Sequence, residues 1–233
     1  MKNKLLVSLF IMAVFFITGC VNVNQKGKLE KDGSGSIDLH YWTKMKNVKN
    51  KQELGGFSFD EGKIKSKYSS SNNDVKDVKI EDKLDDSTKH VNVSIEFDDL
   101  NKLNSAGGFA KVTPTWKEEK DGMEFVYVIK QDTSAAKTMN ASKYELVYEF
   151  EFPDEVLKTN GVKDGKKVKW ERSLKDLKED LVLTATVKSD GESAGNKDKK
   201  DGKKCGLFGI ELPLIFALGM AGMRIVSKRK KEQ

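Results

Sequence analysis

The side chains best equipped for chemistry in this 233-residue chain are an Asp-x-Ser-x-Ser string, two histidines and several paired carboxylates. Asp32, Ser34 and Ser36 offer a carboxylate and two hydroxyls, oxygen ligands of the kind that suit Mg²⁺. A metal-dependent adhesion site needs an apolar strand before the aspartate, whereas Lys28-Leu29-Glu30-Lys31 is polar and Gly33-Ser34-Gly35 suits a hairpin tip. Read as an EF-hand loop, the same segment puts Ile37 where glycine is required. His40 and His90 each lie in a strand-like stretch, outside any zinc-ligand spacing. Asp85-Asp86 and Asp98-Asp99 fall at turns or helix starts, where carboxylates cap and solvate. With no Gly-x-Ser-x-Gly elbow and no P-loop, the sequence predicts no enzyme, no cofactor and no metal site.

The two cysteines carry a different chemistry. Lys2 and Lys4, an apolar run from Leu5 to Ile17, and Ile17-Thr18-Gly19-Cys20 follow the charged, apolar and small-residue order of an export signal. The last four residues resemble the bacterial lipobox, in which the cysteine thiol takes a diacylglyceryl group and becomes the first mature residue. Cys20 is thus expected to be an anchor, with residues 1–19 as its signal peptide. Residues 205–226 form a second apolar run, followed by a basic tail at 227–233. At about 1.5 Å per residue this run is long enough to cross a hydrocarbon core of about 30 Å. Its basic flank predicts a cytoplasmic C-terminus and an outward-facing main domain. Glu211 interrupts the run, and the order Cys205, apolar run, basic cluster also resembles a C-terminal sorting tail processed near Cys205. Both a retained anchor and a processed tail remain open at this point.

These ends dominate the formal charge of +6. The leader contributes +2, Glu211 −1 and the tail from Arg224 onward +4, which leaves +1 for the outer region. The charge therefore reflects membrane topology, and no nucleic-acid partner is expected. Neither cysteine is available for a disulfide inside the folded region, so its stability must come from a packed core. Residues 20–188 are enough for one such domain, and the Ser/Gly/Asp/Lys-rich stretch at 189–204 reads as a flexible linker.

The elements within that domain show two-residue alternation, clearest in Val91, Val93, Ile95 and Phe97; in Met123, Phe125, Tyr127 and Ile129; and in Tyr144, Leu146, Tyr148, Phe150 and Phe152. Turn residues separate the runs at Asp32-Gly33-Ser34-Gly35, Lys120-Asp121-Gly122, Asn160-Gly161 and Asp164-Gly165. Helices are expected over 43–54 and, capped by Asp60, over 61–68, with one or two turns at 98–104 and 173–179. The predicted fold is α+β, a mostly antiparallel meander sheet with a few helices on one face, plus the C-terminal transmembrane helix.

Within this pattern, Tyr144 through Phe152-Pro153, Val156, Thr159-Asn160-Gly161, Gly165, Val168 and Trp170 to Leu181-Val182-Leu183-Thr184-Ala185 resembles the closing half of the LppM-type lipoprotein domain family. Gly33-Ser34-Gly35-Ser36-Ile37-Asp38-Leu39 is similar to that family's first hairpin. The resemblance implies an envelope domain with a lipid-binding groove, and it supplies no catalytic residue.

Three aromatics are the candidate contacts. Trp170 either fills the core or lines a ligand site. Tyr41 and Trp42 are adjacent on a strand and must face opposite sides, so one can be core while the other meets a ligand or a membrane surface. Two functions are therefore expected: a membrane-tethered module that binds a lipid or other envelope ligand, or an assembly partner for another envelope protein. Either would reside at the bacterial cell membrane with its main domain outside the cytoplasm.

Overall fold

The computed structural model describes residues 21–49 and 51–189. The expected signal peptide at residues 1–19, Cys20, most of the expected linker, Cys205, the apolar run at 205–226 and the basic tail lie outside the described residues. Among the described residues no helix is long and apolar enough to cross a membrane.

Thirteen strands form among these residues. They are β1 (Asn22–Leu29), β2 (Gly35–Lys44), β3 (Glu53–Leu54), β4 (Phe57–Ser58), β5 (Asn73–Lys83), β6 (Thr88–Phe97), β7 (Val112–Glu119), β8 (Gly122–Ile129), β9 (Glu145–Glu151), β10 (Val156–Thr159), β11 (Val162–Asp164), β12 (Lys167–Ser173) and β13 (Leu181–Val187). Short helices α1 (Met45–Val48), α2 (Glu61–Tyr68) and α3 (Thr133–Ala136) interrupt them. The fold is α+β and mostly antiparallel, as the alternation predicts.

Its topology is not a single meander. A seven-stranded sheet runs β11-β12-β9-β1-β2-β6-β5, and a separate four-stranded sheet runs β10-β13-β8-β7. Strand β1 pairs antiparallel with β2 but parallel with β9, Val23 lying beside Leu146. Hairpins are legible from local turn chemistry, whereas the β1–β9 pairing joins segments more than a hundred residues apart and has no local signal. The inner face of the large sheet is shared. Over β1, β9 and β12 it meets the small sheet, where Phe125 approaches Phe150 at 4.8 Å and Trp170 at 6.1 Å between ring centroids. Over β2 it meets the β3–β4 hairpin, where Tyr41 packs on Phe57 and Phe59.

The expected helix over 43–54 shrinks to Met45–Val48. Strand β2 continues through Lys44, and Glu53-Leu54 folds back on Phe57-Ser58 through Gly55 and Gly56, both at positive φ. Met45, Val48 and Leu54 are too sparse an apolar stripe to hold a longer helix against the sheet. Helix α2 forms where predicted: the Asp60 carboxylate accepts from the Lys63 N–H at 2.9 Å, and Ile64 and Tyr68 are buried. Single turns also form at Leu100–Ser105, capped by Asp99, and at Leu174–Lys178, where Ser173 and Asp176 make a capping box.

Gly27 on β1 leaves room for the Phe150 ring of β9; a Cβ there would overlap the ring. Phe150 is fully buried and touches Phe125 and Tyr127 of the small sheet, so this contact sets how closely the two sheets approach. Gly27→Ala is expected to cost about 1–3 kcal/mol through overpacking, read as a lower urea midpoint with an unchanged slope.

Candidate functional site

Where the small sheet and the helical cover part company, the inner face of the large sheet is left uncovered. The result is a cavity of about 570 Å³. Its floor is Val21 just before β1, Val23 and Gln25 on β1, Leu39 on β2, and Leu146 and Tyr148 on β9. Alternation explains this set, because Val23 and Gln25 occupy every second position of β1 and Val21 continues the same spacing just before it. Tyr68 and Phe109, edge to face at 5.3 Å, stand on the helical side, and Ile129 at the end of β8 stands on the other.

The lining is apolar and electrically quiet. Gln25, the polar residue of the floor, is buried and donates through Nε2 to the Tyr127 hydroxyl at 3.1 Å. Burial pushes the Tyr148 phenol up to about 12 and raises those of Tyr68 and Tyr127 further, so all three stay neutral at ordinary pH. Three lysines mark the rim. Lys111 pairs with Asp132 at 2.7 Å, Lys130 pairs with Asp180 at 3.1 Å, and the Lys67 ammonium donates to the Gly56 carbonyl.

None of the three aromatics singled out from the sequence lines this cavity. Tyr41 is core, its hydroxyl donating to the Ser58 carbonyl. Trp170 is core as well, and its Nε1 donates to Asn160 Oδ1 at 2.7 Å. Gly161 serves this packing and is not at positive φ: a Cβ there would lie 2.6 Å from Trp170 Nε1. Trp42 is half-buried on the opposite face of the large sheet, stacked on His40 at 4.7 Å. Cys20 and Cys205 lie outside the described residues. The residues that do line the cavity carry no local motif; Gln25, a polar side chain in the inward-facing register, is the one signal in the sequence.

On that opposite face His40 and His90 form a second grouping. Thr88 gives its hydroxyl proton to Asp86, so it accepts from His90 Nε2–H at 2.7 Å, and His90 Nδ1 accepts from His40 Nε2–H at 2.9 Å. In this arrangement the His90 ring is a neutral tautomer. Among the described residues no group of three or more His, Cys, Asp or Glu is arranged to hold a metal. Asp32 instead accepts from the Ser34 N–H and hydroxyl, closing the β1–β2 hairpin tip.

Fold and cavity together define a two-sheet α+β domain with an apolar internal groove. The folded domain of the LppM protein of Mycobacterium tuberculosis, determined by NMR, is similar in structure. The match covers 77% of this chain and 96% of that one, at 14% sequence identity and a TM-score of 0.45. No family model matches this chain, and no curated protein matches it.

Burial is the main cause that lowers both imidazole pKa values, with Lys83 nearby adding to it and Glu81 opposing. The folded state thus favours neutral histidine. Its contribution is complete above about pH 6.5 and is lost as pH falls below that value. The urea midpoint should therefore drop on acidification, and His90→Gln should flatten the drop. Trp170→Phe is expected to cost about 1 kcal/mol by leaving Asn160 Oδ1 one donor short, measured by the same denaturation.

Proposed function

We propose that this chain is a bacterial membrane-anchored extracytoplasmic lipoprotein whose folded domain binds one acyl chain of a lipid. The observation that carries the reading is the apolar cavity, whose 570 Å³ lies within the range of about 300–1,000 Å³ typical of small-molecule sites. A methylene takes about the room of a water molecule, about 30 Å³, so the space holds on the order of 20 such groups. That accommodates one long chain and not two. Each methylene moved from water into such a site contributes about 0.8 kcal/mol. Neutral phenols and paired lysines around the cavity suit it to an apolar chain.

In this reading Cys20 supplies a lipid anchor and residues 205–226 a second, unless the tail is removed near Cys205. Recruitment of an envelope protein through a sheet edge gains less support. Edge strand β5 is broken by a bulge between Val75 and Asp77 and carries Lys76, Lys79 and Lys83, β7 contains Pro114, and β11 has three residues.

Among the described residues the core cluster runs from Val21 to Val187, and residues 21–189 are expected to fold alone. Titrated with the fluorescent fatty acid cis-parinaric acid, this fragment should bind saturably at one site. Leu146→Trp, which fills the floor, should weaken binding tenfold or more while circular dichroism stays unchanged; Trp170→Phe should leave affinity intact. Failure of the folded wild-type fragment to bind any acyl probe would reject the proposal.

A further inference from the structure

The position of the cavity along the chain names an occupant. Val21, joined to Cys20 by one peptide bond, is itself part of the floor and is 4% exposed. From there Val23 and Gln25 carry the floor along β1 for about 13 Å, at about 3.3 Å per residue. The cavity therefore begins at the residue next to the expected lipid attachment and runs away from it beside the strand. Past Gln25 the strand's inner face is closed, first by the Gln25–Tyr127 bond and then by Phe150 over Gly27.

We propose that the cavity is occupied, in the mature protein, by an acyl chain of the protein's own Cys20-linked lipid. This rests on the lipid-binding reading above and on acylation of Cys20. Three observations favour a tethered chain over a free lipid. A chain attached one residue away has an effective concentration in the millimolar range for this site, which a bilayer lipid must outcompete. The volume admits one chain, so a diacylglyceryl group can insert one tail and leave another in the bilayer. Lys111 and Lys130 already hold carboxylate partners and Lys67 donates to the Gly56 carbonyl, so two of the three rim lysines need no anionic headgroup, and a thioether-linked glycerolipid brings none. The mouth of the cavity would consequently rest against the membrane, with the inserted chain as a plug that any other lipid must displace.

The test uses the full chain in native membranes. Cells are fed a palmitic acid analogue carrying a diazirine near its end, which enters both phospholipids and lipoproteins. After irradiation the protein is purified, digested and mapped by mass spectrometry. The expected product is the Cys20 lipopeptide crosslinked to a peptide from the cavity wall, such as those containing Leu39 or Leu146 and Tyr148. Crosslinks from these wall peptides to whole phospholipid, without the Cys20 peptide, would overturn the inference and leave the lipid-binding function standing. A labelled Cys20 with unmodified wall peptides would overturn both. An unacylated Cys20 would overturn the inference alone.

Discussion

Strand β1 is the constraint on which the rest of this domain depends. It is the central strand of the seven, hydrogen-bonded on one edge to β2 and on the other to β9, in the sheet's parallel pairing. Its inner face, with Val21 just ahead of it, carries a gradient of side chains: Val23, then Gln25, then Gly27. Where it ends in glycine the two sheets close together over Phe150; where it begins with valines they stay apart. A single eight-residue strand thus contributes both to a close contact in the core and to the floor of the cavity.

Stability comes from that core and not from the surface. The ion pairs join exposed or half-exposed partners, and such pairs contribute roughly 0–1 kcal/mol each. The buried aromatics are a different matter. Phe125, Tyr127, Phe150, Phe152 and Trp170 form one connected set across both sheets, and the polar atoms of its Tyr and Trp members are bonded, to Gln25 and Asn160. Satisfying those groups internally lets large rings be buried without stranding a donor.

The two faces of the large sheet divide the chemistry. The inner face is apolar and neutral over the cavity, where uncharged phenols and a bonded glutamine leave nothing for an ion to meet. The outer face carries the hydrogen-bonded line from Asp86 through Thr88 and His90 to His40, with Trp42 stacked beside it. Proton-sensitive groups and apolar space are thereby kept on opposite sides of one backbone layer.

Much of this was written in local sequence. The alternation in β6, β8 and β9, the Asp60 cap of α2, the helical turns within 98–104 and 173–179 and the hairpin at Asp164-Gly165 all depend on residues within a few positions of one another, and these read correctly. The opposite facing of Tyr41 and Trp42 follows from strand geometry alone, as do the α+β class and the absence of a cysteine for a disulfide. The division into two sheets, the parallel β1–β9 pairing, the shortening of the 43–54 helix and the cavity were not legible. Each depends on which distant segments become neighbours, and a strand's pattern states which side is buried without stating against what. The sequence by itself determined where side chains point; only the tertiary structure decided that Val21, Val23 and Leu146 point into space, because a gap between layers is a property of how far apart the layers are held.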